Sequence, residues 1–103
     1  MRGIPVLASV VVLTLVAGSA LSAGNPEQGR RLAERWCASC HVVGPGQQQA
    51  LADVPTFASI ARREDLSESL LAAFLTAPHP PMPNLSLSRQ EIADVLAYIR
   101  SLR

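Results

Sequence analysis

Cys37-Ala38-Ser39-Cys40-His41 puts two thiols and an imidazole within five residues. Thiols at this spacing reach the two vinyl groups of one porphyrin and form thioethers with them. The next residue then places an imidazole under the iron. This Cys-x-x-Cys-His run is the attachment signature of c-type haem. Three rare residue types coincide at a given position by chance about once in 10⁵. Two other chemistries use such cysteines. A redox dithiol needs its pair beside a βαβ pattern, and none is visible. A zinc site needs four ligands, or three and a water. Apart from carboxylates, only Cys37, Cys40, His41 and His79 are on offer.

A haem iron held by histidine takes a second protein ligand or leaves its other face open. Met82 is the only methionine after Met1. It lies among Pro80, Pro81 and Pro83, and a weak neutral thioether ligand benefits from such a stiff support. The expected axial ligands are therefore His41 and Met82. Core filler is the ordinary role of a lone methionine. His79, three residues earlier, is the competing ligand and would give a bis-histidine site.

These residues must be positioned by helices. Asn25-Pro26-Glu27 reads as a helix start, and the helix is expected to run from Pro26 to Cys40. Leu32, Ala33, Trp36 and Cys40 would form its apolar face. Gly29 inside it costs about 1 kcal/mol against Ala, which points to close approach of another backbone. Thr56–Arg63 is expected as a short helix capped by Thr56, with Phe57, Ile60 and Ala61 inward. A third helix is expected over Glu64–Ala77, where Leu66, Leu70, Leu71, Phe74 and Leu75 recur at helical spacing and Pro78 ends it. Ser88 and Glu91 form a capping box. They start a last helix with Ile92, Val95, Leu96, Ile99 and Leu102 on one stripe. No alternating run argues for a sheet, so the fold class is all-α.

The first 23 residues read differently. Arg2 starts them, an apolar run follows from Ile4 to Ala17, and small residues dominate to Ala23. That is the build of a secretory signal peptide, with cleavage expected between Ala20 and Ala23. An uncleaved anchor is the alternative, although the apolar stretch is short for a full span. Residues 24–103 then form one domain, expected in the periplasm. The whole chain has 103 residues, nine Arg, no Lys, eight acids and a net charge of +1. The exported part has eight Arg against eight acids. That balance excludes a basic nucleic-acid-binding tail. A core this small is marginal without a disulfide, metal, cofactor or partner, and a covalent haem would supply the missing staple.

From Gly29 to Leu102 the chain resembles class I c-type cytochromes, small monohaem electron carriers. The resemblance rests on the Cys37–His41 run, on Gly29 eight residues before Cys37, and on Tyr98 in the last helix. It also rests on Met82-Pro83-Asn84-Leu85 leading into that helix. It implies a cytochrome c fold around one haem c, with Gly29 packed against Tyr98. It further implies that a proline carbonyl accepts a hydrogen bond from the haem-ligating histidine. Pro55 is the expected counterpart and Pro45 the rival. Asn84 would bond near the Met82 sulfur or simply close a turn. The aromatic usual four residues before the first cysteine is here Ala33. The absence of Lys also departs from carriers that display a lysine ring, and Arg62 and Arg63 are the nearest substitutes.

The implied function is single-electron transfer between redox proteins, with no substrate bond made or broken. A dedicated cytochrome subunit of a larger dehydrogenase or oxidase is the alternative. A gas-binding or sensory haem protein is a third reading, which Met82 opposes. The chain is expected as a monomer or as a subunit of a redox complex.

Overall fold

The computed structural model describes residues 2–4, 10–13, 23–48, 50–77 and 80–103. The proposed signal segment therefore falls largely outside the described residues, as do Pro78 and His79. Four helices make up the regular structure: α1 (Pro26–Trp36), α2 (Phe57–Ala61), α3 (Glu68–Thr76) and α4 (Arg89–Ser101). There is no strand among the described residues. None of their helices is long and apolar enough to cross a membrane.

Each helix begins on a side-chain cap that takes up backbone N–H groups otherwise left without a partner. Asn25 accepts from the N–H groups of Glu27 and Gln28, and Pro26 follows at the first helical position. Thr56 accepts from Ser59, and Ser67 from Leu70. Ser88 and Glu91 complete the capping box of α4.

Three helices differ in extent from the expectation. α1 stops at Trp36 rather than Cys40. The Cys37 and Ala38 N–H groups both turn to the Ala33 carbonyl, which ends the regular ladder. α2 is only Phe57–Ala61, with Arg62 as its C-cap. α3 begins at Glu68 rather than Glu64, because Ser67 caps there and Arg63 pairs with Asp65 in the preceding turn.

α4 contacts all three other helices, and α1 most extensively. Two glycines allow that approach. A Cβ on Gly29 would lie 1.9 Å from the Asp94 carbonyl oxygen and 2.8 Å from the Tyr98 Cβ. A Cβ on Gly24 would lie 2.0 Å from the Ala93 carbonyl oxygen. The close contact inferred from Gly29 is thus with the α4 backbone itself and with Tyr98. The core gathers Ala33, Cys37, Val43, Phe57, Ala61, Val95, Tyr98 and Ile99. Trp36, expected on the apolar face of α1, is 48% exposed. Ala33, expected on that face, is fully buried, and Cys37 rather than Trp36 continues the buried line.

α3 reaches the core through Leu75, which packs against the buried cluster. Glu68 pairs with Arg100 of α4. The Arg103 Nε–H donates to the Ala61 carbonyl at 3.0 Å and ties the end of α4 to α2. No residue of α3 is buried.

Candidate functional site

The site starts where α1 ends. Cys37 is the C-cap of α1. The N–H groups of Cys40 and His41 both return to the Cys37 carbonyl, at 3.1 and 2.8 Å. This winds residues 37–41 into one tight turn that carries both thiols and the imidazole. Both cysteines are free thiols, Cys37 buried and Cys40 half-buried. Burial first, and then the neighbouring Cys40, pushes the Cys37 thiol up to about 11.

The His41 ring is half-buried and oriented from two sides. Its Nδ1 lies 2.7 Å from the Pro55 carbonyl oxygen. A carbonyl can only accept, so Nδ1 carries the proton and Nε2 is left with its lone pair. Of the two prolines considered, Pro55 is the one whose carbonyl meets the ring. Phe57 packs against the other flank of the imidazole, with ring centroids 5.3 Å apart. Phe57 in turn stands 6.4 Å from the Tyr98 ring. The Phe57 N–H donates to the Val42 carbonyl, which closes the loop between His41 and α2.

Gln47 holds that loop. Its Oε1 accepts the Val43 N–H at 2.9 Å. Its Nε2 donates to the carbonyls of Ala38 and His41, at 2.8 and 2.7 Å. The amide thus satisfies backbone groups of the turn that the helix ladder leaves over. The Tyr98 hydroxyl donates to the Val43 carbonyl and fastens the same loop to α4. Sequence reasoning missed Gln47. Nothing distinguishes it in sequence from Gln48 and Gln49.

Asp94 was missed as well. It is a buried carboxylate that accepts the Asn25 N–H at 2.8 Å and the Gln90 amide at 2.9 Å. Its spacing on α4 beside Ile92 and Val95 was the available signal, because it is polar on the face that α1 covers.

Met82 is half-buried on the segment between α3 and α4, next to the cis Pro80–Pro81 bond. Asn84 closes a turn there, its Oδ1 accepting the Ser86 N–H at 2.9 Å. Cys37, Cys40, His41 and Pro55 are thus gathered by α1 and its following loop, and Met82 comes from the opposite end of the chain. His79 lies outside the described residues.

The donor set fits a covalently held haem. Two thiols and an imidazole with a free Nε2 share one turn. α3 adds an apolar surface, with Leu70 and Phe74 exposed and Leu71 and Leu75 half-buried. The alternatives fit less well. Among the described residues no group of three or more His, Cys, Asp or Glu can hold a metal ion. No strand among them offers the βαβ setting of a redox dithiol.

Four helices around a Cys-x-x-Cys-His turn define the class of small helical redox domains. Residues 26–103 match the family model described as Cytochrome c. The chain is also similar to Cytochrome c-552 of Bradyrhizobium diazoefficiens (strain JCM 10833 / BCRC 13528 / IAM 13628 / NBRC 14792 / USDA 110). The two are 54% identical over 99 residues, which cover 94% of this chain and 95% of that protein. No solved structure matches significantly. The chain belongs to the cytochrome c family. It is a periplasmic electron-transfer protein and not an enzyme. Members of the family carry covalently bound haem c.

Proposed function

We propose that the chain is a single-electron carrier holding one haem c through thioethers at Cys37 and Cys40, with His41 and Met82 as axial ligands. The observation that carries this reading is the 2.7 Å contact from His41 Nδ1 to the Pro55 carbonyl. It commits one ring nitrogen to the backbone and leaves Nε2 as the only metal-binding atom of the imidazole. Such an outer bond orients the ring and raises its basicity. Bound at this site, the haem would supply one-electron Fe(III)/Fe(II) cycling, with the His/Met pair favouring a high potential. The chain's own residues keep that site in one geometry. Phe57 limits rotation of the His41 ring. Gln47 and Tyr98 hold the backbone that carries it, and Leu70 and Phe74 offer an apolar surface. The proline-flanked segment presents the Met82 thioether. Residues 1–23 act as the export signal and residues 24–103 as the carrier domain.

The test is co-expression with a cytochrome c maturation system, followed by spectra of both oxidation states. The expected result is a haem that resists acid-acetone extraction. Its oxidised form should be low-spin and show the weak sulfur-to-iron band, which Met82→Ala removes. Covalent haem without that band in the parent protein would overturn Met82 as ligand. A low-spin spectrum would then assign His79, and a high-spin one an open site. Extractable haem would overturn the thioethers.

A further inference from the structure

The backbone carbonyls of the cysteine turn are divided between two kinds of partner. The Cys37 carbonyl takes the N–H groups of Cys40 and His41, and the Cys40 carbonyl takes that of Leu51 at 3.1 Å. The carbonyls of Ala38 and His41 are served instead by a side chain. Gln47 Nε2 donates to both, at 2.8 and 2.7 Å, while its Oε1 accepts the Val43 N–H at 2.9 Å. One of these carbonyls belongs to a residue between the two cysteines, and the other to the histidine itself. A primary amide carries two N–H donors and an acceptor in one rigid group. Both carbonyls are therefore held at a fixed separation. The other bonds of this loop act further along it. The Tyr98 hydroxyl holds the Val43 carbonyl, and the Phe57 N–H holds that of Val42.

We infer that Gln47 is a positioning residue for the iron ligand: it fixes the backbone of His41 relative to the turn that bears both cysteines, and so helps to set the reduction potential. This rests on thioethers at Cys37 and Cys40 and on His41 as axial ligand. With both cysteines bonded, the porphyrin is fixed to the turn, and the imidazole meets the iron where its own backbone puts it. The same backbone placement keeps Nδ1 at 2.7 Å from the Pro55 carbonyl. That bond makes the imidazole a more basic ligand, which favours Fe(III). Freeing the His41 carbonyl lets the ring drift from Pro55 and weakens the preference. The residue type is specific. An ionised glutamate accepts but cannot donate, lysine and arginine donate but cannot accept, and leucine does neither. Asparagine has both functions on a side chain one methylene shorter. Gln48, adjacent and exposed, is the natural control.

The test begins with the parent protein, whose spectra must show covalent low-spin haem. Absence of that haem would overturn both this inference and the reading it rests on. Each haem-bearing variant is then equilibrated with a one-electron mediator of fixed potential, and the reduced fraction is read by absorption. One electron passes from mediator to iron, and no bond forms or breaks. Gln47→Leu and Gln47→Glu are both expected to raise the equilibrium constant for reduction about threefold, less than the roughly tenfold or larger effect of losing a direct partner of the ligand. The His41 Nδ1–H resonance of the reduced protein should move in both. The Val43 amide should exchange with solvent faster in Gln47→Leu alone, since glutamate still accepts its N–H. Gln48→Leu should change none of these. An unchanged equilibrium and an unmoved Nδ1–H resonance in both Gln47 variants would overturn the inference, even with both less stable in urea, because a mere brace on the loop predicts that result. An equal shift in Gln48→Leu would overturn it too. If Gln47→Leu does not accumulate with haem, Gln47→Asn replaces it with the same expectation.

Discussion

α1 and α4 meet through Gly29 and the Asp94 carbonyl with no room for a methyl group, and seven consecutive-turn residues of α4 are buried there or beside it. α3 has a cap of its own at Ser67, yet none of its residues is buried, and Leu70 and Phe74 are exposed. Local propensity does not distinguish these regions. The difference lies in what covers the apolar stripe. Protein atoms alone complete the α1–α4 contact. α3 packs Leu75 against the core but leaves Leu70 and Phe74 exposed, an apolar surface that a large flat cofactor would cover. One region is a clamp and the other a wall, and changes in each should have different consequences.

The largest effect is expected at the clamp. In an open helix Gly→Ala is favourable by about 1 kcal/mol. Gly29→Ala should instead destabilise by about 3 kcal/mol or more, because its new methyl group meets backbone that cannot rotate away. Urea unfolding of the haem-bearing protein measures this, and a neutral result would remove the clamp from the comparison. Asp94→Ala comes next. It orphans the Asn25 N–H at the start of α1 and should cost about 2 kcal/mol in the same experiment.

The wall should respond differently. Leu70→Ser is expected to cost about 1–2 kcal/mol in the haem-bearing protein, as for loss of a partly buried aliphatic group. The apoprotein should not register the change in thermal unfolding. An equal cost in both would mean that α3 is covered by protein after all.

Tyr98 belongs to the clamp, beside Gly29, and gives a pH signature. Burial first, and then the charge of Glu34, raises its phenol above the ordinary 10.0, against an opposing effect of Arg30. The folded state therefore holds the proton more tightly than the unfolded chain. Stability from this group is complete below 10.0 and is lost as pH rises through the raised value. Tyr98→Phe should cost about 1 kcal/mol at neutral pH through the lost bond to Val43. It should also flatten the alkaline part of the stability profile. The smallest effect is expected at Arg63–Asp65. Both groups are solvent-exposed, so Asp65→Asn should leave the unfolding midpoint unchanged.

Much of the site was legible because its chemistry is local in the chain. Cys37, Cys40 and His41 lie within five consecutive residues, and their types alone specify what they can bond. The caps at Asn25, Thr56 and Ser88 were legible for the same reason, since each cap satisfies N–H groups two or three residues away. The helix ends were less so. α1 stops at Trp36 because the Ala33 carbonyl is shared and Gln47 takes over the carbonyls beyond it, and that amide arrives from a separate loop.

The sequence by itself determined the helical class and the thiol–imidazole turn, both of which follow from residue type and short spacing. Only the tertiary structure decided that the Pro55 carbonyl, rather than that of Pro45, accepts the hydrogen bond from His41 Nδ1. It also decided that Asp94 pins the start of α1, and that Trp36 stands out of the core while Cys37 is buried in it. The physical reason is common to all three. Each depends on which distant backbone comes within hydrogen-bond or van der Waals reach, and close packing between elements fixes that only after the chain has folded.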